Sequence, residues 1–418
     1  MEILRVVEII LKTLSRVFGA LVAYKALMTV IGFFTTKRWT EAKRFHSYAV
    51  LIAARNEERV IRNLIDSVRR QDYPSDRITV FVAADNCEDQ TARAAREAGA
   101  VCYERRDPTR RTKGYALRFL VSCIQRDYGK DAFDGYFVFD ADNVLRRDFV
   151  RRMNEAFDAG ERIVTSYRNT KNFSDNWISA SYALHWLRTA RTEHRGRSAV
   201  GLSARVQGTG FLFSKELIRD GWNYTSFTED RAFSADAVAR GYRVAYNDAA
   251  EFYDEQPTDL RIALRQRLRW AKGHLQSFTE SGGKLVKGIF GRNGLVCYDM
   301  LWTVVPENLI SLVLRLSILL AGILLLEEGE RAGALLLGYL RGFGMTCLGA
   351  SMTSAYVLAM ERKRIARCGL WRLVFYCVMF PMFDIIGLAA TVLALFVPVE
   401  WKPIPHTVAR TIEEIEKG

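Results

Sequence analysis

Histidine is scarce in this chain and scattered. Of the five present, His46, His185, His194 and His274 show no spacing suited to a metal, so they read as structural residues. The cysteines (Cys87, Cys102, Cys123, Cys297, Cys347, Cys368 and Cys377) are odd in number and form no C-x-x-C pair. They point to neither a zinc framework nor a disulfide scaffold. Neither G-x-G-x-x-G nor G-x-x-x-x-G-K followed by Ser or Thr occurs, so a dinucleotide fold and a phosphate-loop NTPase are not the natural readings. No internal repeat or low-complexity segment is present. The N-terminus lacks an A-x-A-like cleavage site, and a removed signal peptide is not expected. The net charge of +13 comes with no finger, RNA-recognition or helix-turn-helix signature. Nucleic acid is therefore not an expected partner; membrane-surface lipids and an anionic ligand account for the balance.

Long apolar runs are what the chain does have. Residues 17–34 are about long enough to cross a bilayer, with Lys25 as an interruption. Residues 2–16 mix Leu, Ile and Val with charge and suit the membrane interface. Residues 301–326 are apolar apart from Glu307 and Arg315, residues 332–360 apart from Arg341, and residues 370–399 carry Pro381 and Asp384. Buried core helices would read similarly, but clustering at one end favours a membrane. Glu307, Arg341 and Asp384 are costly in lipid, so each marks a partner or a lined conduit, and they are able to pair with one another. The expected division is a membrane helix in 1–36, a hydrophilic domain in 37–280, an interfacial segment in 281–300, membrane helices in 301–400 and a tail in 401–418. Basic residues follow the first span and fill 361–367, whereas 327–331 is mainly acidic. The positive-inside rule then puts the hydrophilic domain in the cytoplasm. Four full crossings leave both termini outside; a fold-back at Pro381 keeps the C-terminus with the domain. The tail, Trp401 to His406, reads as an interfacial belt or a gating segment.

Within the hydrophilic block, apolar strands and amphipathic helices alternate. Strands are expected at 46–54, 77–84, 101–103, 135–139 and 211–213, and helices at 57–69, 89–98, 113–126, 231–240 and 259–278. Alternation of this kind implies an α/β fold with a parallel sheet covered on both faces. In open α/β sheets the ligand sits beyond the carboxyl ends of the strands. Three strands end there in polar clusters: Arg55, Asn56 and Glu57; Asp85 and Asn86; Asp140, Ala141 and Asp142.

Alternation places Asp140 and Asp142 on one side of an extended backbone, where two carboxylates face one cation. Oxygen ligands suit Mg²⁺ or Mn²⁺; the plainer alternative is an Asx turn. Thr228, Glu229 and Asp230 suit a helix N-cap, and the adjacent carboxylates would also raise one another's pKa. Gln266, Arg269 and Trp270, at i, i+3 and i+4, share one helix face; Trp270 suits either a sugar platform or an interfacial anchor. Gly208, Thr209 and Gly210 precede a strand, as a plain turn or as a close backbone approach to a ligand.

Taken in order, Ala54 to Glu58, Asp85 to Thr91, Lys113 and Gly114, Asp140 to Asp142, Gly208 to Gly210, Thr228 to Asp230 and Gln266 to Trp270 resemble the motifs of membrane-embedded family 2 glycosyltransferases. That group includes cellulose, hyaluronan and poly-N-acetylglucosamine synthases. The resemblance covers roughly residues 49–276, and the flanking spans through layout. It implies a GT-A fold and inverting, Mg²⁺- or Mn²⁺-dependent transfer from a UDP-sugar, with UDP-N-acetylglucosamine the first guess. The acceptor would be a growing β-linked glycan guided across the membrane or, as in ceramide glucosyltransferases, a lipid. By the same resemblance Asp85 contacts the base, Asn56 and Glu57 line the uridine pocket and Lys113 lies near it. Asp140 places the nucleotide, Asp142 holds the metal, and Asp230, beside Glu229, is the general base. Gln266 belongs to the same motif as Arg269, which lies near the diphosphate, and Trp270, which lies under the acceptor sugar. Gly208 and Thr209 lie on the acceptor side.

Overall fold

Runs of Val, Ile, Phe and Ala with turn residues between them set the strands of this chain. In a computed structural model, which describes residues 2–326, 332–400, 406 and 408–417, they form one eight-stranded sheet. The strands are β1 (Tyr48–Ala54), β2 (Ile78–Asp85), β3 (Val101–Arg105), β4 (Gly135–Asp140), β5 (Val144–Leu145), β6 (Ile163–Thr170), β7 (Phe211–Ser214) and β8 (Val244–Asp254). Their order is β3-β2-β1-β4-β7-β6-β8-β5.

The expectation of a wholly parallel sheet holds for one half. Strands β3, β2, β1 and β4 are parallel, whereas β7 is antiparallel to β4 and β6, and β5 to β8. A parallel neighbour needs a crossover that returns the chain to the starting edge. Strand β7 instead begins at the ligand edge, after Gly208 and Gly210, and runs away from it. Gly210 has φ +66°, and a Cβ there would enter the Phe252 ring, so the turn requires glycine.

In chain order the helices are α1 (Glu2–Val22), α2 (Tyr24–Phe34), α3 (Ile61–Arg69), α4 (Thr91–Glu97), α5 (Lys113–Tyr128), α6 (Phe149–Asp158) and α7 (Trp177–Thr189). Then come α8 (Gly196–Ala199), α9 (Glu229–Ala239), α10 (Leu260–Ile289), α11 (Gly294–Val304), α12 (Glu307–Leu324), α13 (Ala332–Met360), α14 (Leu370–Phe396) and α15 (Ile412–Lys417). Ile61, Leu64, Ile65 and Val68 of α3 pack with Val50, Ile52 and Phe137 on one face of the sheet. Leu117, Leu120 and Ile124 of α5 pack with Leu51, Phe81 and Tyr136 on the other.

Among the described residues, four stretches are long and apolar enough to cross a membrane: Glu2–Phe34, α12, α13 and α14. Residues 301–326 are broken at Pro306, which has no N–H to continue a helix, so α11 and α12 are separate. The acidic turn 327–331 and tail residues 401–405 lie outside the described residues.

Helix α14 continues through Pro381 without folding back. Before it, Arg364 bonds Asp248 of β8 at 3.0 Å. Along it, Arg188 of α7 makes a two-pronged pair with Asp384 at 3.1 and 3.2 Å, and Lys272 of α10 donates to the Ala394 carbonyl. Beyond it, His406 reaches Glu57. Both ends of α14 are therefore joined to the hydrophilic domain. The intramembrane charges do not pair with one another. Glu307 pairs with Lys25 of α2, Asp384 with Arg188, and Arg341 is exposed on α13.

Candidate active site

The loops after β1 and β2 turn through left-handed residues, Asn56 at φ 59° and Asn86 at φ 51°. Asparagine tolerates this region better than most side chains. Each amide then braces a neighbouring loop. Asn56 Oδ1 accepts from the Glu88 N–H at 2.9 Å, and Asn86 Oδ1 from the Asp107 N–H at 2.8 Å. Between these turns, β4 and the start of α5, a cavity of about 140 Å³ is lined by Glu57, Asp85, Lys113, Asp140, Asp142 and Arg269, among others.

Asp85 is buried against the Arg105 guanidinium at 2.5 Å. Burial lifts its pKa above the usual carboxylate range, against the pull of Arg105. Lys113 begins α5, where the absence of a Cβ on Gly114 lets the backbone of Tyr224 and Thr225 close in. Its ammonium pairs with Asp140 and donates to the Gly208 carbonyl at 2.7 Å. Burial alone would raise Asp140, but Lys113, then Arg168 and His406, hold it below its ordinary value. Thr209 Oγ1 accepts from the Asp140 N–H at 2.9 Å and pairs with Asn143, so it fixes the strand end. Asp142 is buried, and its Oδ2 accepts from the Glu255 N–H at 2.7 Å.

Carboxylates crowd this cavity. Glu57, Asp140, Asp142, Asp254 and Glu255 all line it. Burial pushes Asp254 up to about 6 against the pull of Arg168, with Asp142 and Asp140 adding to the rise. Burial likewise raises Glu57. His406 Nδ1 sits 2.9 and 3.1 Å from the two Glu57 oxygens. Burial opposes its charge, yet Asp142, then Glu57 and Glu255, push its pKa up to about 10. Such an acidic pocket suits a divalent cation. Among the described residues no three His, Cys, Asp or Glu side chains converge to hold one unaided. Asp142, with Asp140 beside it, would therefore share the ion with ligand oxygens.

A second cavity, about 290 Å³, adjoins the first and shares Lys113, Asp140, Gln266 and Arg269 with it. Gly208, Glu229, Asp230 and Trp270 complete the expected residues here. Thr228 does not cap α9 as expected, because no side-chain cap bond forms. Its hydroxyl faces Ser277 of α10 at 3.2 Å, packed over Gly273, where a Cβ would strike it. Burial lifts Glu229 to about 7 against Lys113, and Asp230 raises it further. Helix α10 starts at an Asp259 cap, which accepts from the Ile262 N–H at 3.0 Å, and presents Gln266, Arg269 and Trp270 to this cavity. Trp270 meets Tyr182 at 5.7 Å and Trp186 at 5.5 Å, edge to face.

Of the sequence candidates, Asn56 and Thr209 line neither cavity and act on the loops that do. Residues the motifs did not reveal are also present. Arg168, Arg205 and Arg231 line the second cavity, with Asn308 of α12 and Asp384, Gly387 and Thr391 of α14 forming its far wall. His185 and His274, read from the sequence as structural, line it as well. Burial and nearby arginines hold both imidazoles well below their ordinary range. No spacing signal flags these groups, because packing of distant helices brings them together.

A family model described as "Glycosyltransferase like family 2" matches residues 46–273, more than half of the chain. A probable glycosyltransferase YdaM from Bacillus subtilis is 24% identical over 57% of this chain and 57% of its own length. A beta-monoglucosyldiacylglycerol synthase from Trichormus variabilis is 25% identical over 63% and 58%. A poly-beta-1,6-N-acetyl-D-glucosamine synthase from Staphylococcus epidermidis is 22% identical over 56% and 56%. The chain thus spans less than two-thirds of the length of these curated relatives. In fold it is similar to a mannosyltransferase from Pyrobaculum calidifontis, in complex with GDP-Man and Mn²⁺. That likeness has a TM-score of 0.59 and 16% identity and covers 93% of this chain and 99% of that one.

Proposed function

Because this chain belongs to glycosyltransferase family 2, we propose that it moves a sugar from a UDP-sugar, with a divalent cation, to an acceptor hydroxyl at a membrane surface. One observation carries this reading: the acidic cavity and the cavity holding Glu229 and Asp230 share Lys113, Asp140, Gln266 and Arg269. A donor diphosphate in the first would place its sugar carbon at the mouth of the second.

In the first cavity, Asp85 and Glu57 are available to the nucleoside, and Lys113 and Arg269 to the diphosphate oxygens. A cation bound at Asp142 would neutralise charge gathering on the departing diphosphate. In the second, Asp230 takes the acceptor proton as the hydroxyl attacks, a role worth about 10²- to 10⁴-fold. Trp270 offers a flat apolar face to sugar C–H groups. Attack from the side opposite the leaving group gives inversion.

The acceptor enters from the α12 and α14 side, since Asn308, Asp384, Gly387 and Thr391 form that wall. The sequence-level case for a polymer conduit rested on Glu307 and Arg341. With Glu307 neutralised by Lys25 and Arg341 facing outward, an acceptor anchored in the membrane, a lipid or lipid-linked glycan, is the reading the geometry favours. Extension of a β-linked glycan, with UDP-N-acetylglucosamine as donor, is the second reading, supported by the poly-N-acetylglucosamine synthase likeness. Incubating the purified full chain with labelled UDP-sugars, a membrane lipid extract and Mg²⁺ or Mn²⁺ tests both. One sugar on extractable lipid is expected; a polymer ladder would favour glycan extension, and transfer from GDP-sugars alone would exclude the UDP donor.

A further inference from the structure

A third cavity shares no lining residue with the other two. It measures about 1090 Å³ and sits between the 361–369 loop, the C-terminal ends of β6 and β8, and the C-terminal segment 408–415. Its walls carry Arg146, Lys171, Arg362, Lys363, Arg367 and Arg410, against the acids Glu251 and Glu414. Glu251 is already taken by Arg146 and Asn169, and Glu414 accepts from the Thr411 N–H at the start of α15.

The cations fall into two groups. Arg146 is paired with Asp148 and Glu251, and Arg364, which also lines the cavity, with Asp248. By contrast Arg362, Lys363, Arg367 and Arg410 have no carboxylate partner among the described residues. Arg362 reaches the Cys368 carbonyl at 3.3 Å, and Arg410 the Lys171 carbonyl at 2.8 Å. The buried Nη1 of Arg364 has no hydrogen-bond partner among the described residues. Lys171 is buried, and that burial holds its ammonium below the ordinary lysine range against the pull of Asp142, Glu255 and Asp254. A loop between membrane helices is commonly basic, but that tendency explains neither a cavity nor the arrival of Lys171 and Arg410 from two other parts of the chain.

The 361–369 loop joins α13 to α14, and just beyond it Leu370 and Trp371 are 71% and 83% exposed. An exposed Trp beside apolar residues suits the headgroup level of a bilayer. We infer that this cleft binds a phosphate group, either that of an anionic phospholipid headgroup or a soluble phosphate. Lys363 and Arg367 would meet it from the loop and Arg410 from the C-terminal segment. Guanidinium and ammonium donors without carboxylate partners are the groups that phosphate oxygens satisfy. This site does not depend on the glycosyl-transfer reading.

The test uses the full-length chain purified in neutral detergent. Phosphatidylglycerol and phosphatidylcholine are added separately, and retained lipid is counted by native mass spectrometry. Inorganic phosphate is titrated in parallel by thermal shift. The chain should retain phosphatidylglycerol in preference to phosphatidylcholine. In the triple variant K363Q/R367Q/R410Q that retention should fall about a hundredfold, since each basic group near a lipid surface is worth about fivefold. An unchanged elution volume on size exclusion and an unchanged melting point without ligand show that the variant is folded. Stabilisation by inorganic phosphate that the triple variant loses, without lipid retention, assigns the site to a soluble phosphate. Retention of neither ligand by the native chain, or equal retention by the triple variant, overturns the inference.

Discussion

Glu229 and Asp230 are neighbours in the chain and both face the acceptor cavity, yet burial and the adjacent charge lift Glu229 to about 7. Below that pH Glu229 carries a proton; above it Glu229 is ionised, and its negative charge favours removal of the proton from an acceptor hydroxyl. The transfer rate should therefore rise with pH through about 7, and Glu229→Gln should flatten that limb, as kcat/KM profiles over roughly three pH units would show. A profile unchanged in Glu229→Gln would contradict the assignment. Asp230→Asn should cut transfer by at least about 10²-fold while UDP affinity, measured by calorimetry, stays within about twofold; normal turnover would remove Asp230 from the base role. These residues were legible in the sequence because their motif spacing is local. Arg205, Arg231, His185 and His274 were not, because α7, α9, α10 and the 196–210 segment carry them separately to one cavity. The C-terminal histidine at Glu57 lies far from it in sequence, and only tertiary packing joins the two.

At the scale of elements, close backbone contacts hold the site to its scaffold. A Cβ on Gly114 would strike the Tyr224 carbonyl, and that backbone has no free end to swing away. Gly114→Ala should cost about 1–3 kcal/mol and weaken donor binding, because the first turn of α5 carries Lys113. Melting curves with and without UDP check this; an unshifted melting point would show that the turn gives way freely. The N-terminal helix is joined in the same manner. A Cβ on Gly32 of α2 would strike the Arg191 carbonyl, and one on Gly196 of α8 the Met28 carbonyl. Small residues let helices approach this closely beside a membrane. The helices were readable because their apolar positions recur about every 3.6 residues, and the strands because they are short, continuously buried apolar runs ending at turn residues. The antiparallel run of β7 was not, since direction depends on the edge from which the chain arrives.

For the whole molecule, the consequence of α14 lying along α7 and α10 is topological. The C-terminal segment is tied to the catalytic domain by His406 at Glu57 and by Glu413 at Arg70 and Arg147, and these ties predict that the two share one side of the membrane. In sealed vesicles, an epitope tag after residue 418 and one inserted at Gly129 should be cut by added protease in the same preparation. Cleavage of one with protection of the other would contradict the arrangement. Hydropathy alone counts apolar runs, and α14 is as apolar as the other three spans. What distinguishes it is contact with Arg188, Arg267 and Lys272, which composition does not reveal.

Cation-assisted loss of a nucleotide from a sugar, between Asp142 and Arg269, is the step the proposed transfer depends on. Its most direct test is UDP release by the purified full chain given UDP-sugars, lipid extract and Mg²⁺ or Mn²⁺. Release with labelled product, abolished by chelation and by Asp142→Asn, is the expected result. A folded preparation that neither binds UDP with the cation nor consumes any activated sugar would contradict it.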